Sequence, residues 1–164
     1  MFSSLVSWLA TGDLSADEAL SGIGFLDLYG GSGGVAIEAA SRGAGPVRLV
    51  ERDARVAAVA RRNAEHVGAH VKVSTASVSA FLSSPADEEY DIVWLDPPYA
   101  LSEEELSAAV ASILDNGWLA EDGLLVVERS SRTPDPVLPV ALAEVWGRRY
   151  GETTIHYATR KAGQ

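Results

Sequence analysis

GFLDLYGGSGGVAIEAAS, residues 24–41, passes from a short apolar run into a turn carrying Gly30, Gly31, Gly33 and Gly34, and then into a string of small residues. Residues 24–28 read as a buried strand, and Ser32–Ser41 as a helix packed closely on something flat. A strand that gives way to a helix through glycines brings bare backbone and a helix N-terminus to one point. That arrangement suits a ligand approaching the end of a sheet. A tight βα turn needing glycine only for its own geometry is the simpler alternative.

The same alternation continues outward. VRLVE (residues 47–51) is a second strand, followed by Asp53 as N-cap of a helix whose Val56, Ala60, Ala64 and Val67 recur at helical spacing up to Gly68. HVKVS (70–74) is a third strand, 78–82 a short helix, and YDIVWLD (90–96) a fourth strand. Ser102 and Glu105 make a capping box ahead of a helix with Leu106, Val110, Ile113 and Leu114 on one face, ending near Asn116. LLVVE (124–128) is the fifth strand, PDPVLP (134–139) a loop, and ALAEVWGRRY and ETTIHYAT a closing hairpin around Gly151. Strands nearly continuous in Val, Ile and Leu, alternating with helices, predict an α/β, doubly wound, mostly parallel sheet with an antiparallel C-terminal strand at its edge. The whole of residues 1–164 reads as a single domain.

Composition sets outer bounds. Hydrophobic residues make up 47% and charged residues 22%, ordinary for a globular chain, and the absence of Cys removes disulfides and thiolate metal sites. His66, His70 and His156 are scattered, so no metal centre is expected. No apolar run is long enough to cross a membrane, and the start lacks a basic leader, which makes the cytoplasm the expected location. A formal charge of -10 opposes a broad nucleic-acid surface, although Arg42, Arg48, Arg52, Arg55, Arg61 and Arg62 cluster in sequence and leave room for a local basic face. Phe2, Leu5, Val6 and Leu9 fit one face of a helix that would begin at the first residue with no cap.

Two acids sharpen the glycine loop. Glu51 ends the second strand, 20 residues beyond Gly31, where a carboxylate can accept hydrogen bonds from a ribose hydroxyl pair. Asp27 stands at the mouth of the loop, where it would repel phosphate but attract an ammonium or sulfonium group. No third glycine completes G-x-G-x-x-G and no P-loop is present. S-adenosylmethionine is therefore favoured over NAD, and P-loop hydrolysis is excluded. A solvated strand terminus is the plainer reading of Glu51.

The fourth strand ends in Asp96-Pro97-Pro98-Tyr99. An exocyclic amine on a base is a weak nucleophile because its lone pair is delocalised into the ring. The Asp96 carboxylate and the Pro97 carbonyl can accept its N–H bonds and localise that pair, while Tyr99 stacks on the base. A proline turn that merely closes a strand is the plain alternative.

These motifs together resemble the amino-methyltransferases of nucleic-acid bases. FLDLYGGSGGVAIEAASRGA (with Glu38 in its helix), LVERD, VWLDPPYA, ILDNGWLAEDGLLVVE and YGETTIHYA resemble, more closely, the bacterial 16S rRNA guanine-N2 methyltransferase family, over residues 2–157. The resemblance implies a seven-stranded Rossmann-like class I methyltransferase sheet. It implies S-adenosylmethionine held by Asp27, Tyr29, Gly30, Gly31, Gly33, Glu51, Arg52 and Ser77, and a guanine amine held by Asp96, Pro97, Pro98 and Tyr99. The partner it implies is 16S rRNA or a small-subunit assembly particle, met by a monomer. Ser77 departs from the Asp or Asn usual against the adenine. The family's basic N-terminal arm has no counterpart here, so residues 1–20 are expected to be the remnant of a longer helical region. Methylation of DNA or of a protein, and a non-catalytic scaffold, are the competing readings.

Overall fold

The computed structural model describes residues 1–162. Seven strands lie in the order β3-β2-β1-β4-β5-β7-β6. β1 (Phe25–Leu28), β2 (Val47–Glu51), β3 (Lys72–Thr75), β4 (Tyr90–Leu95) and β5 (Leu119–Ser130) run parallel. β6 (Leu142–Tyr150) and β7 (Thr153–Arg160) form the expected hairpin, but the last strand is not the edge. β7 inserts between β5 and β6, antiparallel to both. The reason is visible in burial: Ile155, His156, Tyr157 and Ala158 are buried in succession, whereas β6 is exposed along most of its length. The charged Arg148 and Arg149 suit an edge, where they discourage pairing with another chain.

The two faces are covered by different helices. On one face α1 (Phe2–Trp8), α2 (Gly34–Ser41) and α3 (Ala54–His66) pack Phe2, Leu5, Ala36, Ala39 and Ala60 on Phe25, Leu49, Trp94 and Val126. On the other, α4 (Val78–Leu82) and α5 (Glu103–Asp115) pack Val78, Leu82, Leu106, Val110 and Ile113 on Leu26, Val93, Leu95 and Val127. Alternating residues of a strand face opposite ways, so the interior strands must be apolar throughout. The alanines of α2 and α3 let those helices approach the sheet closely.

Local signals set the helix ends. Asp53 Oδ1 accepts the Arg55 and Val56 N–H groups at 2.8 and 3.2 Å, and Ser102 with Glu105 closes a reciprocal capping box. α1 begins at Phe2 with no side-chain cap, as expected, and is fastened by packing. The Phe2 ring stacks 6.2 Å from Trp94 and 6.3 Å from Phe25, with the Arg42 guanidinium 5.0 Å above it.

β5 is longer than the apolar run suggested. Tyr90 pairs with Leu119 but Ile92 pairs with Leu124, so β5 carries extra residues past a short piece of β4. Asp122 takes φ 59° inside that bulge, and Gly123 sits where a Cβ would come 2.8 Å from the Ala120 carbonyl. Asp122 and Gly123, just ahead of the apolar run, are part of the bulge itself. Three of the six clustered arginines are engaged within the chain: Arg42 pairs with Glu38, Arg48 with Asp87, and Arg61 with the Val73 carbonyl and Thr75 hydroxyl, while Arg52, Arg55 and Arg62 are exposed. Among the described residues no helix is long and apolar enough to cross a membrane.

Candidate active site at the carboxyl edge of the sheet

Leu28, Val50, Leu95 and Val127 are in register across β2-β1-β4-β5. The residues one step beyond them are Tyr29, Glu51, Asp96 and Glu128. A single row at the end of the parallel strands thus holds three carboxylates and a phenol, at the edge where open α/β sheets bind ligands. Two cavities open along it.

The first, about 660 Å³, is lined by residues including Tyr29, Glu51, Arg52, Ser77, Asp96 and Pro98, with α5 supplying Glu105 and Ala109. Glu51 organises its floor. Its Oε2 accepts the Gly31 N–H at 3.0 Å and its Oε1 the Asp53 N–H at 2.9 Å, so the carboxylate ties the glycine turn to the cap of α3. Each oxygen retains a second lone pair, which a ribose hydroxyl can use. Ser77 caps α4 by accepting the Ala80 N–H at 3.2 Å, and its hydroxyl also lies 3.4 Å from that of Ser79. Tyr29 holds φ 60°, an uncommon conformation for an aromatic residue, which turns the chain out of β1 into the loop. Its phenol is pushed above the ordinary range by partial burial and by Glu105.

The glycines divide by role. At Gly30 a Cβ would lie 2.2 Å from Leu49 Cγ, so glycine is required there by the core beneath the loop rather than by a ligand. Gly33 takes φ 98° as the N-cap of α2. Gly31 offers its N–H to Glu51 with open space on the side where a Cβ would stand.

Asp27 is not at the mouth of the loop. It is 2% exposed, lies beneath the turn and lines neither cavity. Its Oδ2 has no hydrogen-bond partner. Burial raises its pKa to about 8, against a lowering by the Ala36 N–H and with smaller raising contributions from Asp96, Glu128 and Glu51. At neutral pH this carboxyl carries a proton. The strand alternation that makes Leu26 and Leu28 face α4 and α5 turns Asp27 toward α2, and a short turn leaves no room to lift it out.

The second cavity, about 410 Å³, shares Asp96 and Pro98 with the first and adds Pro97, Tyr99, Glu128, Arg129, Ser130, Thr133 and Thr153. Pro97 is buried and Pro98 exposed. The Pro98 carbonyl accepts the Leu101 N–H at 3.0 Å, which turns the chain toward α5. Among the described residues no donor serves the Pro97 carbonyl or the Asp96 carboxylate. Tyr99 is 94% exposed, so its ring faces are free. Partial desolvation raises the Asp96 carboxyl, and desolvation together with Asp96 raises Glu128. Arg129 is buried against Glu103 at the start of α5, which fixes that wall.

The structure thus brings eight of the twelve expected residues to the cavity walls, with Gly30, Gly31 and Gly33 shaping the turn beside them and Asp27 held below. Glu128, Arg129, Ser130, Thr133 and Thr153 were not anticipated. Glu128 carried a usable signal, because LLVVE ends in the same strand-terminal acid as VRLVE. The others come from β5, β7 and a loop whose meeting no local pattern announces.

The sheet order, the site at its parallel-strand ends and the two helical layers are those of class I methyltransferases. The solved Escherichia coli protein yhhF superposes with a TM-score of 0.81 at 26% identity, covering 98% of this chain and 85% of its own. An RNA methyltransferase from Salinibacter ruber, solved with S-adenosyl-L-homocysteine, shares the fold at TM-score 0.65 and 18% identity, over 98% of this chain and 93% of its own. The chain belongs to the family described as Conserved hypothetical protein 95, which matches residues 7–159. Ribosomal RNA small subunit methyltransferase D of Escherichia coli is 32% identical over 117 residues, covering 70% of this chain. The chain spans 57% of that relative's length.

Proposed function

We propose that this protein transfers a methyl group from S-adenosylmethionine to the exocyclic N2 amine of a guanine in small-subunit ribosomal RNA, in the cytoplasm. One observation carries the reading: a cavity floored by Glu51 and a second cavity rimmed by Tyr99 meet at a shared wall made of Asp96 and Pro98. A donor and an acceptor in adjoining pockets with a common wall is what a direct group transfer requires. The names of the relatives, and the ligand held by the Salinibacter ruber enzyme, support the same choice.

The residues fit the cofactor. In this reading Glu51 takes the ribose hydroxyls and Ser77 the adenine edge, which their shared place on the wall of the first cavity with Tyr29 and Arg52 supports. The orphaned Oδ2 of buried Asp27 lies beneath the glycine turn, where a cationic group bound above the turn would favour loss of its proton through space. When bound, S-adenosylmethionine supplies an electrophilic methyl carbon on a sulfonium. Tyr99 offers an exposed face on which a base leaving its helix can stack. Asp96 and the Pro97 carbonyl accept the two amine N–H bonds, drawing the nitrogen lone pair out of conjugation and toward the shared wall. Glu51 and Ser77 would hold the cofactor so that its methyl carbon goes to N2 and the C–S electron pair stays on its sulfur. The surplus proton on N2 passes to Asp96, whose raised pKa suits it to take and release that proton.

The test is a transfer assay with tritiated S-adenosylmethionine on small-subunit particles lacking base methylation, followed by digestion to nucleosides. Label in N2-methylguanosine is expected. Label in a methylated adenine or cytosine would overturn the choice of base, and bound cofactor with no transfer to any RNA would overturn the reaction.

A further inference from the structure

The second cavity has two carboxylates on its wall, and the proposed chemistry uses one. Asp96 and Glu128 follow the in-register pair Leu95 and Val127 on neighbouring parallel strands. Trp94 and Val126, two residues earlier, lie in the same layer of the core, so alternation returns Asp96 and Glu128 to that same face. Adjacent strands lie about 4.8 Å apart at the pair before them, and Asp96 is near enough for its charge to raise the Glu128 carboxyl. Both line the cavity. Neither carboxylate meets a hydrogen-bond donor among the described residues. Arg129, the nearest cation in sequence, lines the same cavity but is engaged with Glu103.

Two neighbouring acceptors with no donor of their own match a ligand edge that carries two neighbouring donors. Guanine presents such an edge: the N2 amine beside N1–H. Adenine and cytosine place an amine beside a ring nitrogen that is itself an acceptor, and a carboxylate facing that lone pair is repelled. Resting on the proposed guanine-N2 reaction, we infer that Glu128 is the residue that selects guanine, accepting the N1–H while Asp96 engages the adjacent amine. Glu128 thereby fixes the base in the orientation that points N2 at the shared wall. Asp96 is needed for any amine; Glu128 is needed for this one.

The experiment uses the full chain and 16S rRNA in which the methylated guanine, once mapped, is replaced through ligation by 2-aminopurine. That base keeps the 2-amino group and the purine shape but has a lone pair at N1 and no oxygen at C6. Wild-type protein should methylate the guanine particle at least about 100-fold better by kcat/KM, because a site built around a donor rejects an analogue lacking it. Glu128→Gln changes one oxygen to an NH2 that can donate to a bare N1. It should lower kcat/KM on guanine by about 100-fold while narrowing the guanine to 2-aminopurine ratio by at least about tenfold. Its Kd for S-adenosylhomocysteine by calorimetry should stay within about twofold, since Glu128 does not line the first cavity. Equilibrium binding of the two RNAs without cofactor should show the same narrowing.

Equal loss on both bases, or no loss on guanine, would overturn the role of Glu128 while leaving the reaction standing. Wild-type transfer to a base other than guanine would sink the reaction and this inference with it. If Glu128→Gln does not fold, the wild-type preference decides alone: a guanine to 2-aminopurine ratio near one refutes the inference.

Discussion

The two cavities are built in different ways, although they share a wall. The first is drawn largely from residues 29–53 and 77–82, with one side closed by α5; the second joins residues 96–99 to 128–133 and to Thr153. The first is held by short-range backbone contacts, such as Gly31 and Asp53 on Glu51 and Ala80 on Ser77. The second is held by the sheet itself, through the pairing of β4 with β5 and of β5 with β7. On the proposed assignment, the difference separates what each does. A cofactor common to many enzymes can be gripped by a local device, while the choice of substrate is left to strands whose neighbours are set only by the complete fold.

The sharpest way to break this division is at the shared wall. Asp96→Ala removes the acceptor for the amine while leaving Glu51, Ser77 and Tyr29 in place. Turnover on small-subunit particles should fall by about 10²–10³-fold, the scale for a positioned acid–base group, with the cofactor Kd nearly unchanged. Undiminished kcat would show that the wall is only a boundary. A parallel loss of cofactor affinity would show that the cavities are energetically one.

Glu51→Ala acts from the other side. It strips acceptors from the Gly31 and Asp53 N–H groups and from the ribose together. Cofactor affinity by calorimetry should drop by about 1.5–3 kcal/mol, the scale for hydrogen bonds to a charged group. Glu51→Gln keeps one acceptor oxygen and should fall between. RNA binding should not move. If Glu51→Ala binds cofactor like the wild type, the first cavity is not the cofactor site.

This division is also why the first cavity was legible in sequence and the second only along its Asp96–Tyr99 wall. The glycine turn, the strand-ending Glu51 and the Asp53 cap act within a few residues of themselves, so their spacing carries their geometry. Asp96-Pro97-Pro98-Tyr99 is legible for the same reason. Arg129, Ser130, Thr133 and Thr153 become neighbours only because β7 inserts beside β5, and the order of the last two strands is decided by burial rather than by any motif. Asp27 shows the converse failure. Its type and position in the motif were readable, but its burial was not, because alternation along β1 and the close approach of α2 turn it inward. The partners of Arg42, Arg48 and Arg61 were likewise not readable, because residues close in sequence point to different neighbours.

Asp27 offers a test that needs no ligand. Its pKa rises from 3.8 in the open chain to about 8 in the fold. Between those values the folded state holds a proton that the unfolded state has released, so stability falls as pH rises through the window and levels off above about 8. Each pH unit inside the window costs up to about 1.4 kcal/mol, or about 2 kcal/mol between roughly pH 6 and pH 7.5. Urea midpoints across that range should show the decline, and Asp27→Asn should flatten it. The same variant should bind cofactor more weakly, because a neutral amide cannot become the counter-charge. A pH-independent wild type would place Asp27 in contact with water and undo the account of its burial.

The smallest expected effect probes what the cavities have in common. α5 reaches both: Glu105, Ala108, Ala109 and Ser112 line the first, and Glu103 pins Arg129 on the wall of the second. Its start is secured by Ser102 Oγ, which accepts the Glu105 N–H at 3.1 Å, while Glu105 Oε2 accepts the Ser102 N–H at 2.8 Å. Ser102→Ala removes one half of this exchange and should lower stability by about 1 kcal/mol, read as a shifted urea midpoint with an unchanged slope. Fraying would be confined to the first turn, because Leu106, Val110 and Ile113 hold the rest of the helix to the core. Loss of the first turn frees Glu103 from Arg129 before it disturbs Ala109 or Ser112. The variant should therefore weaken RNA binding more than cofactor binding, each by no more than a few fold. The reverse order, with cofactor affinity falling first, would show that α5 belongs to the first cavity alone and that the Arg129 wall is held by the sheet without it.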